Sequence, residues 1–188
     1  TILSSEGFKE FLPKWNYTIA HNFDKENVAN AIEARSNMLD EEIVRISFIG
    51  LVRYFEENKK LLNALKNDNR FIIQYFGLNS DVLKEYCREN GIKNVDFYGR
   101  FDPSQTGEFY AKTHIINNIY GYSTTEIKTA LSNKLYYGAM LRIPILVSPS
   151  TYMNQIISQY ELGYTVDFNN SNLADDIYSF YTDLDRVK

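Results

Sequence analysis

Ser132, Asn133 and Lys134 put a hydroxyl, an amide and an ammonium on consecutive residues where a helical segment begins. A helix start offers unpaired amide donors and the positive end of the helix dipole, so these side chains could meet a diphosphate there. A second basic set follows Gly50 in GLVRYFEENKK, with Arg53 in the loop and Lys59 in the helical segment after it. A guanidinium grips phosphate oxygens as a fork, and a glycine lets the backbone close on a ligand. The same residues also fit an ordinary N-cap before a core helix and a solvated charged loop.

The elements that must position them read as an alternation. Short β-branched and aromatic runs at 43–50, 71–77, 95–99, 114–121, 143–148 and 163–168 are expected strands. Helical segments at 56–68, 79–91, 106–112, 131–141, 152–160 and 173–184 separate or follow them; the first puts Leu61, Leu62 and Leu65 on one face. Strands alternating with helices predict an α/β fold, a Rossmann-like doubly wound parallel sheet covered on both faces. Ligands of such sheets sit outside the carboxyl ends of the strands, which selects the loops after Gly50, Gly77, Gly99, Gly121 and Ser148. Residues 1–42 differ in character. An amphipathic stretch, SEGFKEFL, stops at Pro13, NYTIAHNF has strand character, and residues 24–42 are polar, helix-prone and without a strong apolar face. We expect 1–42 to be a linker or interdomain tail and 43–188 to be the binding domain.

Composition narrows the chemistry. The 188 residues carry 24 acidic and 20 basic side chains, a net charge of −4, with no Lys/Arg block to follow a nucleic-acid backbone. Cys87 is the only cysteine and the two histidines, His21 and His114, form no ligand cluster, so neither a disulfide nor a CxxC metal site is expected. No apolar run reaches the ~18 residues of a membrane span, and the first residues lack a signal peptide's basic start and apolar stretch. A cytoplasmic location is expected. Neither GxGxxG nor GxxxxGK[ST] occurs, which argues against a dinucleotide-dependent dehydrogenase or epimerase and a P-loop NTPase.

SNKLYYGAMLRIPILVS resembles a segment of the group 1 retaining glycosyltransferases of the GT-B fold, including capsular and surface polysaccharide enzymes, that commonly reads like NKLFEYMAAGKPVIAS. Other motifs follow in the family's order. ISFIGLVRYFEENKKLLNAL is similar to its first strand, glycine loop and donor-facing helix, and VDFYGRF to its "V.F.G" segment. ELGYTVDF is similar to a late glycine-containing strand, and NYTIAHNF to the tail by which the N-terminal domain hands over. The resemblance spans residues 16–168. It implies the C-terminal, donor-binding half of an enzyme that moves a hexosyl unit from a UDP- or GDP-sugar to a saccharide or lipid-linked acceptor, without a metal or other cofactor. It assigns Gly50, Arg53, Lys59, Ser132, Asn133 and Lys134 to the donor and its diphosphate, and Gly99, Arg100 and Phe101 to the base. It further implies an acceptor-binding N-terminal domain beyond this chain, an isolated chain that binds without turnover, and room for peripheral association of the full-length protein with the inner face of the membrane.

Two positions depart from the pattern. Ser123-Thr124-Thr125-Glu126 resembles the family's "SxxE" start, making Glu126 the catalytic candidate, but eight residues later stands Lys134. Aligned through the helix, the family's second glutamate, near the ribose, falls on Tyr137, and a small glycine falls on Arg142. A non-catalytic binding or partner subunit with a degenerate donor site is therefore the alternative expectation.

Overall fold

The computed structural model describes residues 1–21, 28, 29, 31, 32, 35 and 43–183. Two strands open the chain, β1 (Ile2–Leu3) and β2 (Thr18–Ile19), which pair in parallel around a 3-10 helix at Glu6–Phe11. The Ser5 hydroxyl accepts from the Gly7 amide and donates to the Thr129 carbonyl at 2.7 Å, so this segment lies against the main body.

The main sheet has six strands: β3 (Val44–Ile49), β4 (Phe71–Phe76), β5 (Val95–Gly99), β6 (Ile115–Asn118), β7 (Ile145–Val147) and β8 (Gly163–Thr165). Their order is β5-β4-β3-β6-β7-β8, and every pair is parallel. The expected α/β, Rossmann-like parallel sheet is the fold. Strands covered on both faces carry near-continuous apolar runs, as VRISFI and FIIQYF do; the edge strand β5 instead alternates half-buried and exposed positions.

Among the described residues the α-helices that follow β3 are α1 (Phe55–Ala64), α2 (Asp81–Glu89), α3 (Thr106–Ala111), α4 (Thr125–Thr129), α5 (Lys134–Leu141), α6 (Tyr152–Gln159) and α7 (Leu173–Thr182). Because successive strand side chains point to opposite faces, Ile46, Phe48, Ile115 and Leu146 join one core. There they meet Leu61 and Leu62 of α1, Leu65 just after it, Leu83 of α2 and Ile177 of α7. Ile49, Ile116, Ile145 and Val147 join the other, against Tyr110 of α3, Leu135 and Leu141 of α5 and Ile157 of α6. Val28 and Ala31, three residues apart, are buried in this second core, so the polar stretch expected at 24–42 does contribute an apolar edge; most of that stretch lies outside the described residues.

Element ends differ where side chains intervene. α1 stops at Ala64, short of residue 68, and Asn67 follows in a left-handed conformation whose side chain donates to the Gly91 carbonyl. The helix expected from 131 begins at Lys134, and a separate short helix, α4, precedes it, capped by the Thr124 hydroxyl. The extended backbone of Ala130 divides the two. The closing helix ends at Thr182; Leu184 lies outside the described residues.

Candidate functional site

From β3 the chain winds outward through β4 to β5, then returns to the other side of β3 for β6, β7 and β8. Between β3 and β6 the connections diverge to opposite sides, which leaves a crevice at the carboxyl ends of these strands. A cleft of about 510 Å³ opens there, lined by Gly50, Arg53 and Tyr54 after β3, Tyr120 after β6, and Ser132, Asn133 and Lys134 at the start of α5.

Lys134 is 6% exposed, and its Nζ donates to Tyr120 Oη at 2.9 Å. The ammonium also lies 4.3 Å from the centre of the Phe48 ring and 5.4 Å from that of Tyr120. An ammonium has three donors, so the bond to Tyr120 leaves others for a ligand. Burial alone would push the Tyr120 phenol up. The Lys134 charge and hydrogen bond, helped by Ser132 and Arg53, outweigh burial and hold it below its ordinary value. Tyr120 stacks on Tyr54 at 4.4 Å between ring centres, giving the cleft an aromatic wall.

The loop that carries Arg53 is fastened from beneath. Asn58 is fully buried; its amide donates to the Arg53 and Tyr54 carbonyls, and its Oδ1 accepts from Tyr75 Oη and Asn117 Nδ2. Tyr54 has φ +57, a left-handed conformation unfavourable for a bulky residue and held in place by these bonds. Gly77 is required beneath the same loop: it has φ +136, and a Cβ there would stand 1.9 Å from the Gly50 carbonyl oxygen.

The structure gathers some expected residues and separates others. Gly50, Arg53, Ser132, Asn133, Lys134, Phe101 and Tyr137 line the cleft. Arg100 lines an adjoining groove with Gly50, Gly77 and Phe101, and Gly99 ends β5 with φ +69. Lys59 does not reach the cleft: it pairs with Glu56 at 2.8 Å and lies over the Tyr86 ring of α2. Glu126 lines a smaller neighbouring pocket, and its hydrogen bond with Thr124 draws its carboxyl below the ordinary value. Tyr137 is buried and stacks on Tyr110, with ring centres 4.0 Å apart. Arg142 has φ +52 at the end of α5, where glycine is the usual helix-ending residue.

The start of α5 also differs from expectation in its backbone. The Lys134 amide donates to Ser132 Oγ and the Leu135 amide to the Ser132 carbonyl, so these two donors are already engaged. Side chains carry more of the site than the helix amides do. Sequence reasoning missed Asn58, Tyr54 and Tyr120; a buried polar residue inside an otherwise apolar helix face was the available signal for Asn58.

No protein-family model matches the chain, and no curated protein matches it. Solved structures do. HepE from Anabaena in complex with UDP is similar at TM-score 0.69 and 11% identity, over 98% of this chain and 54% of that one. WaaG, a glycosyltransferase involved in lipopolysaccharide biosynthesis, is similar at TM-score 0.69 and 12% identity, over 96% and 53%. Sucrose-phosphate synthase from Thermosynechococcus elongatus is similar at TM-score 0.64 and 14% identity, over 95% and 47%. The chain spans about half the length of the structures it matches. The likeness is one of fold: a Rossmann-like half of the GT-B architecture. Among the described residues no helix is long and apolar enough to cross a membrane, and no group of three or more His, Cys, Asp or Glu is placed to hold a metal.

Proposed function

We propose that the chain is the donor-binding half of a glycosyltransferase and that its cleft holds a nucleoside-diphosphate sugar, UDP- or GDP-linked. The carrying observation is the buried Lys134 ammonium beside Arg53 at the carboxyl ends of β3 and β6. A diphosphate is the ligand that such a site suits: two cations of different geometry, the ammonium buried and the Arg53 guanidinium exposed, in a region where a Rossmann-like sheet binds its ligands. In transfer of a glycosyl unit, negative charge grows on the departing diphosphate, and these cations are already in position to stabilise it. Phe101 and the groove along Arg100 lie to one side and suit the base.

Within this reading, the full-length protein transfers a hexosyl unit to a saccharide or lipid-linked acceptor in surface polysaccharide synthesis. It works in the cytoplasm or at the inner face of the membrane, without a metal, and the chain alone binds without turnover. Glu126 is the catalytic candidate, reached through the smaller pocket. A second reading, a partner subunit with a degenerate donor site, is favoured by one observation: Tyr137 offers a stacked phenol where the resembled family has a ribose-facing carboxylate. Assay of the full-length protein separates the two. Release of UDP or GDP from nucleotide sugar, dependent on acceptor and lost in Glu126→Gln, supports the enzyme; nucleotide binding without release supports the subunit.

A further inference from the structure

Behind the cleft lies a second pocket of about 170 Å³, which shares Tyr54, Tyr120 and Ser132 with it. Most of its exposed wall is apolar, from Ile127, Ala130 and Met153 among others, and its polar members are Asn118, Glu126 and three serine and threonine hydroxyls. Asn118 is 4% exposed, and its Oδ1 is the one buried side-chain oxygen among the described residues with no hydrogen-bond partner. A buried acceptor without a partner is unfavourable, and the space around it is more than a single water needs. Its neighbours are not in the same state. Asn117, on the next residue, is bonded through both its amide atoms, and Ser148 accepts from the Gly121 amide.

We infer that this pocket reads the sugar: it takes an acylamino substituent, so the preferred donor is a nucleoside-diphosphate N-acetylhexosamine. The inference rests on the donor-site reading above. An acetamido group pairs the two properties that the pocket combines, an N–H for the Asn118 acceptor and a methyl for the wall of Ile127, Ala130 and Met153. A half-turn about the Cβ–Cγ bond presents either amide atom of Asn118 to the ligand. A hydroxyl in its place satisfies Asn118 but leaves the apolar wall in contact with water. Glu126, at the same pocket, is placed to accept from a ring hydroxyl.

Titration calorimetry with UDP, UDP-N-acetylglucosamine and UDP-glucose tests this. The acetamido sugar should bind about fourfold tighter than UDP-glucose, the share of one buried methyl. Asn118→Leu should weaken UDP-N-acetylglucosamine and UDP-glucose alike relative to UDP, with a thermal melt to check folding. Ala130→Leu, which fills the pocket, should weaken UDP-N-acetylglucosamine more than UDP. Equal affinities for the two sugars, with UDP bound, overturn the pocket's role and leave the donor site standing. Where GDP binds and the UDP series does not, the same comparison between a GDP-hexose and its acetamido counterpart decides it, equal affinities again overturning the pocket's role. Failure of both UDP and GDP to bind overturns both readings.

Discussion

At Lys134, a buried ammonium is satisfied by one phenol oxygen and the faces of two rings, which is little for a charge so far from water. On the proposed reading, a phosphate supplies what the fold leaves out. Lys134→Met keeps the apolar stem and removes the charge, and should weaken nucleoside-diphosphate binding by about 10- to 100-fold, the worth of a charge-assisted hydrogen bond. It should also act on Tyr120. With the cation gone, burial dominates and the phenol should rise above its ordinary value. In a spectrophotometric titration, the phenol that ionises first in the native protein should then disappear from the low-pH side. A titration curve unchanged by Lys134→Met contradicts the assignment. The cations at Arg53 and Lys134 were legible in the sequence because charge after a strand-ending glycine or at a helix start is a local pattern. Tyr120 was not, since its role comes from a partner fourteen residues later that only the fold brings near.

Helix α1 fixes the glycine loop through Asn58 as much as through its leucines. Asn58→Leu leaves the Tyr75 hydroxyl, the Asn117 amide and two loop carbonyls without their partner. It should cost about 2–4 kcal/mol in denaturant unfolding and weaken ligand binding by releasing Arg53. At the other end of α5, Arg142 sits in a left-handed conformation that glycine adopts without a Cβ penalty. Arg142→Gly should therefore be neutral or stabilise by up to about 1 kcal/mol, seen as a higher melting temperature. Strands and helices were legible because their apolar periods differ, and both cores follow them. What was not legible is how 125–133 divides, since Thr124 capping and the extended Ala130 are local choices within one helix-prone stretch.

Over the whole molecule, burial sets the response to alkali. Burial pushes the Tyr75 and Tyr110 phenols well above their ordinary value of 10.0 and the Cys87 thiol up to about 11. All three keep protons in the fold that the unfolded chain releases, so their contribution is full below the unfolded values near 9 to 10 and is lost as pH rises beyond them. Tyr120 opposes them, being held low in the fold, but burial also raises Tyr98, Tyr136, Tyr152 and Tyr164, so it is outnumbered. Urea midpoints should therefore fall steadily above about pH 9, and Cys87 should resist thiol reagents at pH 8 until the chain unfolds. A constant midpoint from pH 8 to 10.5 counts against this balance. The fold class was legible from the order of elements alone. The residues of the 24–42 stretch were not, because its apolar residues, Val28 and Ala31 among them, form no strong face of their own, and their burial depends on a core built from distant strands.

The central claim is that the crevice between β3 and β6 binds a nucleoside diphosphate through Lys134 and Arg53. Calorimetric titration of the chain with UDP and with GDP, beside the Lys134→Met, Arg53→Gln double variant, tests it most directly. The account predicts saturable one-to-one binding of at least one nucleotide by the native chain and its loss in a double variant that still melts cooperatively. No binding up to millimolar nucleotide, or equal binding by the double variant, contradicts it.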